Sequence, residues 1–213
     1  NSNKIELEDD CIVPEVIGFG SSITNAFKLD PSKVNEYKQS LKYLLKTDKD
    51  DLGKSVSFWF KSTGDNAGKR LIGVSDIEYN NNTSSETLTH CIAIDENNLV
   101  KYNGTLLTSN SVLVDGWNFI SFTYTVDKEN SIYNSLINLN GSISTFTSSF
   151  ENISKSKRFD IVSLPNQTNS NDVFNGLVTC ILISGSPLSQ DEVNLFKKYS
   201  FIDYINYQNT MSN

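Results

Sequence analysis

The feature that most constrains this chain is a hydrophobic period of two. In "WNFISFTYTV", Ile120, Phe122, Tyr124 and Val126 fall on one face, and Phe119, Ser121, Thr123 and Thr125 on the other. "SVSFWFKS" repeats the pattern, with Val56, Phe58 and Phe60 opposed to Ser57, Trp59 and Lys61. An extended strand places alternate side chains on one face; a helix does not. Trp59 is out of keeping with its small, polar face and requires a cover of its own. "LVTCILIS" is apolar on both faces, which predicts a strand, Leu177–Ser184, covered on both sides.

Further strands are expected at Ile23–Leu29, Lys69–Ser75, Thr87–Ile94, Leu99–Tyr102, Asn134–Leu139, Ser142–Thr147 and Phe159–Leu164. The segments between them, "STGDNAG", "DENN", "VDGW", "LNGS" and "LPNQTNSND", are rich in turn formers. "INLNGSIS" predicts a hairpin in which Asn140-Gly141 supplies the positive φ angles of a tight turn. Many short strands at this spacing predict a sandwich or barrel.

Two stretches carry a helical period. "SQDEVNLFKKYS" opens with a capping box, Ser189 and Glu192, and ends with Lys197 and Lys198, which suit the negative end of the helix dipole. In "DPSKVNEYKQSLKYLLK", Val34, Tyr37, Leu41, Leu44 and Leu45 follow a helix, yet Leu41, Tyr43 and Leu45 also alternate. The expectation is a helical turn after Pro31 and a strand from about Leu41.

Composition narrows the function. The formal charge of −7 is spread without a basic block, which disfavours nucleic acid or an anionic membrane as partner. No apolar run approaches the ~20 residues that span a bilayer. A start at Asn1 leads us to expect a processed protein or an excised fragment. About one residue in eight is Asn, and six N-x-S/T triplets, at Asn81, Asn82, Asn103, Asn140, Asn152 and Asn166, mark exposed loops. Cys11, Cys91 and Cys180 lack C-x-x-C spacing and flank apolar residues, so buried free thiols are expected. His90 is the only histidine, which favours a structural role over a triad or metal site.

The order of these motifs resembles a laminin-G-like, concanavalin A-like lectin jelly roll. "FGSSITNAFKLD" resembles the opening strand and "SVSFWFKS" the S-x-S-F-W strand. "DGWNFISFTYT" with "NSLINLNGS" resembles the W-x-x-V-x-x-T-Y strand and its hairpin, and "FNGLVTCILISGSPLSQDEVNLFKKY" the closing strand, turn and helix. The likeness runs from about Gly18 to Tyr199, and receptor-binding jelly rolls of clostridial neurotoxins share the general pattern. It implies an all-β, two-sheet antiparallel sandwich with a short C-terminal helix: one domain over 1–199 and a tail over 200–213. It also implies pairing of the first and last strands, which would bring Cys11–Gly18 near Leu177–Ser184 and Cys11 near Cys180. Trp59 would lie beneath a loop or on the concave surface.

The glucanases of this fold carry an E-x-D-x-x-E strand, in which two carboxylates flank the scissile bond. This chain has no such spacing, so a non-catalytic role is expected. Relatives that recognise glycans do so through rim loops, some with calcium held by carboxylate and carbonyl oxygens. "VSDIEYNNN" resembles such a loop: Asp76 and Glu78 offer carboxylates and weak calcium candidates, Asn80 an amide and Tyr79 a stacking face. Tyr102 and Asn103 of "VKYNG" complete the expected ligand-binding set, with no catalytic residue and no cofactor unless calcium. The expectation is thus an extracellular or surface-exposed recognition or adhesion module. Its partners would be cell-surface glycans or a receptor, and it could be a homo-oligomer within a larger assembly. The alternative is a structural or receptor-binding domain of a virion, toxin or bacterial surface protein without lectin activity.

Overall fold

Every paired strand of the computed structural model runs antiparallel to its neighbours. The structure describes residues 5–7, 13–19, 22–29, 41–46, 52–80, 83–112, 116–150, 156–162 and 174–200. The strands are β1 (Ile5–Leu7), β2 (Val13–Phe19), β3 (Ser22–Leu29), β4 (Leu41–Lys46), β5 (Gly53–Ser62), β6 (Arg70–Asn80) and β7 (Thr83–Ile94). They continue as β8 (Leu99–Tyr102), β9 (Thr105–Ser111), β10 (Trp117–Asp127), β11 (Ile132–Leu139), β12 (Ser142–Ser149), β13 (Ser156–Ile161) and β14 (Gly176–Ser184), before helix α1 (Gln190–Ser200). The first sheet has the order β1-β4-β13-β6-β7-β8-β9 and the second β12-β11-β10-β5-β14-β3-β2. The architecture is a jelly-roll β-sandwich.

The core lies between the sheets. Register places Phe58 opposite Ile120 and Val56 opposite Phe122, and all four are fully buried. Phe60 and Tyr124 are equally buried, while Ile181 of the closing strand packs half-buried against the core. The first sheet contributes Ile72, Val74, Ile92, Ile94, Phe159 and Ile161. The predicted tight turn forms at Asn140 (φ 55) and Gly141 (φ 104).

The other face of β5 answers for Trp59. Ser57 donates to Ser121 at 2.8 Å across the β5–β10 pair, and the Trp59 ring lies 5.3 Å from that of Phe119. Helix α1 packs over this aromatic pair. Trp59 Nε1 donates to Ser200 Oγ at 3.0 Å, and the Phe196 ring lies tilted against that of Phe119, 6.3 Å away. The cover is therefore a helix rather than a loop. Its capping box forms as expected, with Ser189 N–H and Oγ each 2.8 Å from Glu192 Oε2.

Several expectations are corrected. The described part of "VSDIEYNNN", up to Asn80, is not a rim loop, because Asp76 to Asn80 continue β6 in its pairing with β7. The expected pairing at the chain's ends does not form: β1 lies in the other sheet, and β3 lies between β2, which holds most of Cys11–Gly18, and β14. Strand β13 begins three residues earlier than expected and ends at Ile161, where Val162 turns with φ 53. Strand β9 was not expected. In β14 the register shifts between Thr179 and Leu182, with Cys180 at φ 50, so a bulge accounts for apolar residues on both faces. The free thiols of Cys91 and Cys180 are half-buried rather than buried, and Cys180 Sγ donates to the Ser200 carbonyl at 3.2 Å. Cys11, the turn after Pro31 and the tail from 201 lie outside the described residues.

Candidate functional site

Of the expected site residues whose side chains are described, Asp76 and Tyr102 are engaged by partners inside the sandwich and Asn103 by the backbone of β7 beside its turn. Asp76 is directly opposite Lys157 on β13, and its carboxylate accepts from the Lys157 ammonium. That ammonium is completely buried, donates to Tyr133 Oη at 2.8 Å and lies 4.9 Å from the centre of the Tyr133 ring. Asp76 thus neutralises a buried cation, and a calcium ion would compete with that cation for the same oxygens. Tyr102 is 3% exposed and offers no open face for stacking. Its hydroxyl is hydrogen-bonded to His90 Nδ1 at 2.8 Å and to Ser135 Oγ at 3.0 Å, and burial raises its pKa. Asn103 is exposed at a turn with φ 45, but its amide is engaged: Oδ1 accepts from Cys91 N–H and Nδ2 donates to the Thr89 carbonyl. The side chains of Glu78, Tyr79 and Asn80 lie outside the described residues. Among the described residues there is no cluster of three His, Cys, Asp or Glu fit to hold a metal ion.

His90 is structural. It is enclosed by the rings of Tyr102, Phe122, Tyr124 and Tyr133, whose centres lie 5.0–6.0 Å from its own. Burial, seconded by the Lys157 charge, pushes its pKa down to about 3, so it is neutral at ordinary pH.

A different site is built on the outer face of the second sheet. Register aligns Thr123, Leu136 and Thr145 in one row across β10, β11 and β12, and Thr125, Asn134 and Thr147 in the next. These six positions alternate with the inward-facing core residues and form the floor of an open cavity of about 750 Å³. Ser135 and Phe146 also border it, and Pro187, Leu188, Ser189 and Gln190, the turn into α1, form its wall. The wall is pinned to the sheet. Leu188 N–H donates to Ser55 Oγ at 2.8 Å, and Ser55 is hydrogen-bonded to Thr123 Oγ1 at 2.8 Å. Lys54 Nζ reaches the Gly185 carbonyl at 3.3 Å. The small residues on the outer face of β5 thus let the turn approach closely.

The groove offers hydroxyls, amides and a short apolar strip. Hydroxyls both donate and accept, and an amide does so through separate atoms. Gln190 Nε2 donates to Asn194 Oδ1 at 2.9 Å, while Gln190 Oε1 is shielded from solvent and has no partner among the described residues. The Glu192 carboxyl is held below the usual carboxylate range by the Ser189 N–H and then by the Ser189 hydroxyl. Sequence reasoning missed this site. Its signal is the run of alternate hydroxyl residues in "SFTYT" and "STFTSS".

No family model matches the chain, and no curated protein matches it. Among solved structures, a sialidase of Trypanosoma rangeli in complex with 2,3-difluorosialic acid aligns with a TM-score of 0.52 at 10% identity. The alignment covers 84% of this chain but only 30% of the sialidase. The alginate lyase vAL-1 from Chlorella virus aligns with a TM-score of 0.50 at 13% identity, over 85% of this chain and 91% of the lyase. The CBM40 of a Ruminococcus gnavus IT-sialidase, bound to α2,3-sialyllactose, aligns at only 0.41 and 16% identity, over 68% of this chain and 82% of that one, and carries no weight on fold. The two higher scores agree with a jelly-roll β-sandwich, a fold that hosts unrelated functions.

Proposed function

We propose that this chain is a non-catalytic recognition module of laminin-G-like type that binds glycans in the groove on the outer face of its second sheet. The observation that supports the reading is the two-by-three array of Thr123, Leu136, Thr145, Thr125, Asn134 and Thr147, walled by the Pro187–Gln190 turn. A sugar ring has hydroxyls around its rim and an apolar C–H face. Hydroxyl and amide side chains match the first; Leu136, Pro187 and Leu188 match the second. The groove is open, so a single site binds weakly and useful strength comes from several copies acting together. Such a module belongs on an extracellular or otherwise exposed surface, where repeated glycans are presented.

The test is a glycan array probed with the chain displayed as a multimer, repeated with Asn134→Ala and with Thr125→Ala. The reading expects binding by the multimer and its loss in both variants. Binding that survives both substitutions would move recognition elsewhere. No binding at all would favour a structural module.

A further inference from the structure

We infer that two copies of this chain pair through the free edge of β12 about a twofold axis, and that the pairing joins their two grooves into one. The use of the joined groove rests on the glycan reading above; the pairing itself does not. Sheet order gives β12 a neighbour, β11, on one side only. The hairpin fixes which backbone groups face the open side. Phe150 N–H donates to the Ser131 carbonyl at 3.0 Å, one step beyond the Ile132–Ser149 pair. Antiparallel pairs alternate between bonded and non-bonded. Ser142, Ser144, Phe146 and Ser148 therefore direct N–H and C=O at β11, and Ile143, Thr145, Thr147 and Ser149 direct theirs away from it. These last four residues are exposed, and no backbone bond of a turn or loop among the described residues uses them. Such a row is a template for another strand. The other edges among the described strands are blunted. Strand β1 has three residues, β2 carries Pro14 and Glu15, and β9 meets β8 through a register shift. Strand β12, "SISTFTSS", has eight residues in unbroken register, with no charge and no proline.

The occupant is a second copy because the edge is complementary to itself. A twofold axis at Phe146 sets Ile143 opposite the second copy's Ser149 and Thr145 opposite its Thr147, with the reciprocal pairs beyond the axis. All four outward residues of each strand then bond to outward residues. Thr145 and Thr147 bring hydroxyls to one face, a favourable cross-strand pair. On the other face Phe146, half-buried beside Tyr102 with ring centres 4.7 Å apart, meets its own copy. A chain of net charge −7 repels its copies in general, but at this strand no like charges meet. Thr145 and Thr147 are also groove floor. Across the axis the row Thr123, Leu136, Thr145 runs on into Thr147, Asn134 and Thr125 of the second copy. At the usual strand spacing the floor grows from about 10 Å across three strands to about 24 Å across six. Each copy thus supplies half of a site that a single chain leaves open at β12.

The experiment is sedimentation equilibrium of the untagged chain from micromolar into the millimolar range, with amide hydrogen exchange read by NMR at both ends of the series. It is repeated on Ile143→Pro, which lies outside the groove lining and removes an N–H that the chain does not use, a change that an edge strand tolerates. The expected result is a reversible dimer with an alternating signature. Amides of Ile143, Thr145, Thr147 and Ser149 gain protection as concentration rises, while those of Ser144, Phe146 and Ser148 are protected throughout. I143P should raise the dimer dissociation constant about tenfold or more, because each copy loses a donor. A chain that stays monomeric would leave the edge to a strand of a different protein and overturn the pairing. So would a dimer in which the four outward amides exchange as fast as in the monomer. A dimer with this signature that binds nothing on the glycan array would keep the pairing and remove the glycan reading. Glycan binding by a chain that stays monomeric would do the reverse.

Discussion

Ser55 Oγ accepts the Leu188 N–H at 2.8 Å across 133 residues of sequence, and the same hydroxyl is bonded to Thr123. This single serine joins the groove's wall to its floor. Ser55→Ala should cost about 1 kcal/mol of stability, leave the core intact and speed hydrogen exchange at the Leu188 amide. Exchange at Leu188 no faster than in the unaltered protein would show that the turn is held by other contacts.

The core prediction concerns Phe122, which is fully buried and packs near His90 (5.2 Å), Tyr124 (6.0 Å) and Tyr102 (6.2 Å). Phe122→Ala should cost roughly 3–5 kcal/mol, from lost transfer energy and the cavity left behind. Denaturant unfolding measures this directly. An unchanged midpoint would mean that Phe122 does not lie between the sheets.

Asp76 separates a structural residue from a ligand-binding one. Asp76→Ala leaves the Lys157 ammonium buried without its carboxylate and should cost roughly 3–5 kcal/mol. Replacing both residues with apolar side chains should recover much of that loss. Glycan binding by the folded single variant should be unaltered, because the pair faces the core and the groove lies on the opposite face of the other sheet. A stable Asp76→Ala protein that has lost binding would return Asp76 to the site.

His90 gives the fold a pH dependence whose sign follows from its position. The folded value is about 3, and the ordinary value is 6.5. Above 6.5 both the folded and the unfolded chain hold the ring neutral, and its contribution is complete. As the pH falls from 6.5 towards 3, only the unfolded chain takes up the proton, so stability is lost across that window. The slope reaches at most about 1.4 kcal/mol per pH unit for one group. His90→Phe should flatten the stability profile over this range. An unchanged slope would assign it to other groups.

The alternation in "SVSFWFKS" and "WNFISFTYTV" was enough to find β5, β10 and the core between them, because period two admits one local geometry. The capping box likewise marked the start of α1 from Ser189 and Glu192 alone. The site was not legible in the same way. Asp76 and Tyr102 are residue types that suit sugars, but which way each points depends on strand register and on partners, Lys157 and His90, far away in sequence. The rim-loop expectation failed because Asp76 to Asn80, for all their polar side chains, continue strand β6 in its pairing with β7. Conversely, Thr123, Thr125, Thr145 and Thr147 look like any solvated strand face. They become a groove only where Pro187–Gln190 folds back over them, a contact that no local pattern announces.

The most direct test of the central claim is a two-dimensional amide NMR titration of the isotopically labelled chain with a neutral oligosaccharide that the multimer binds. The account predicts that shift changes concentrate at Thr125, Asn134, Leu136, Thr145, Thr147 and Gln190. Changes centred instead on residues 78–80 and 83–87 of the β6–β7 hairpin would contradict it.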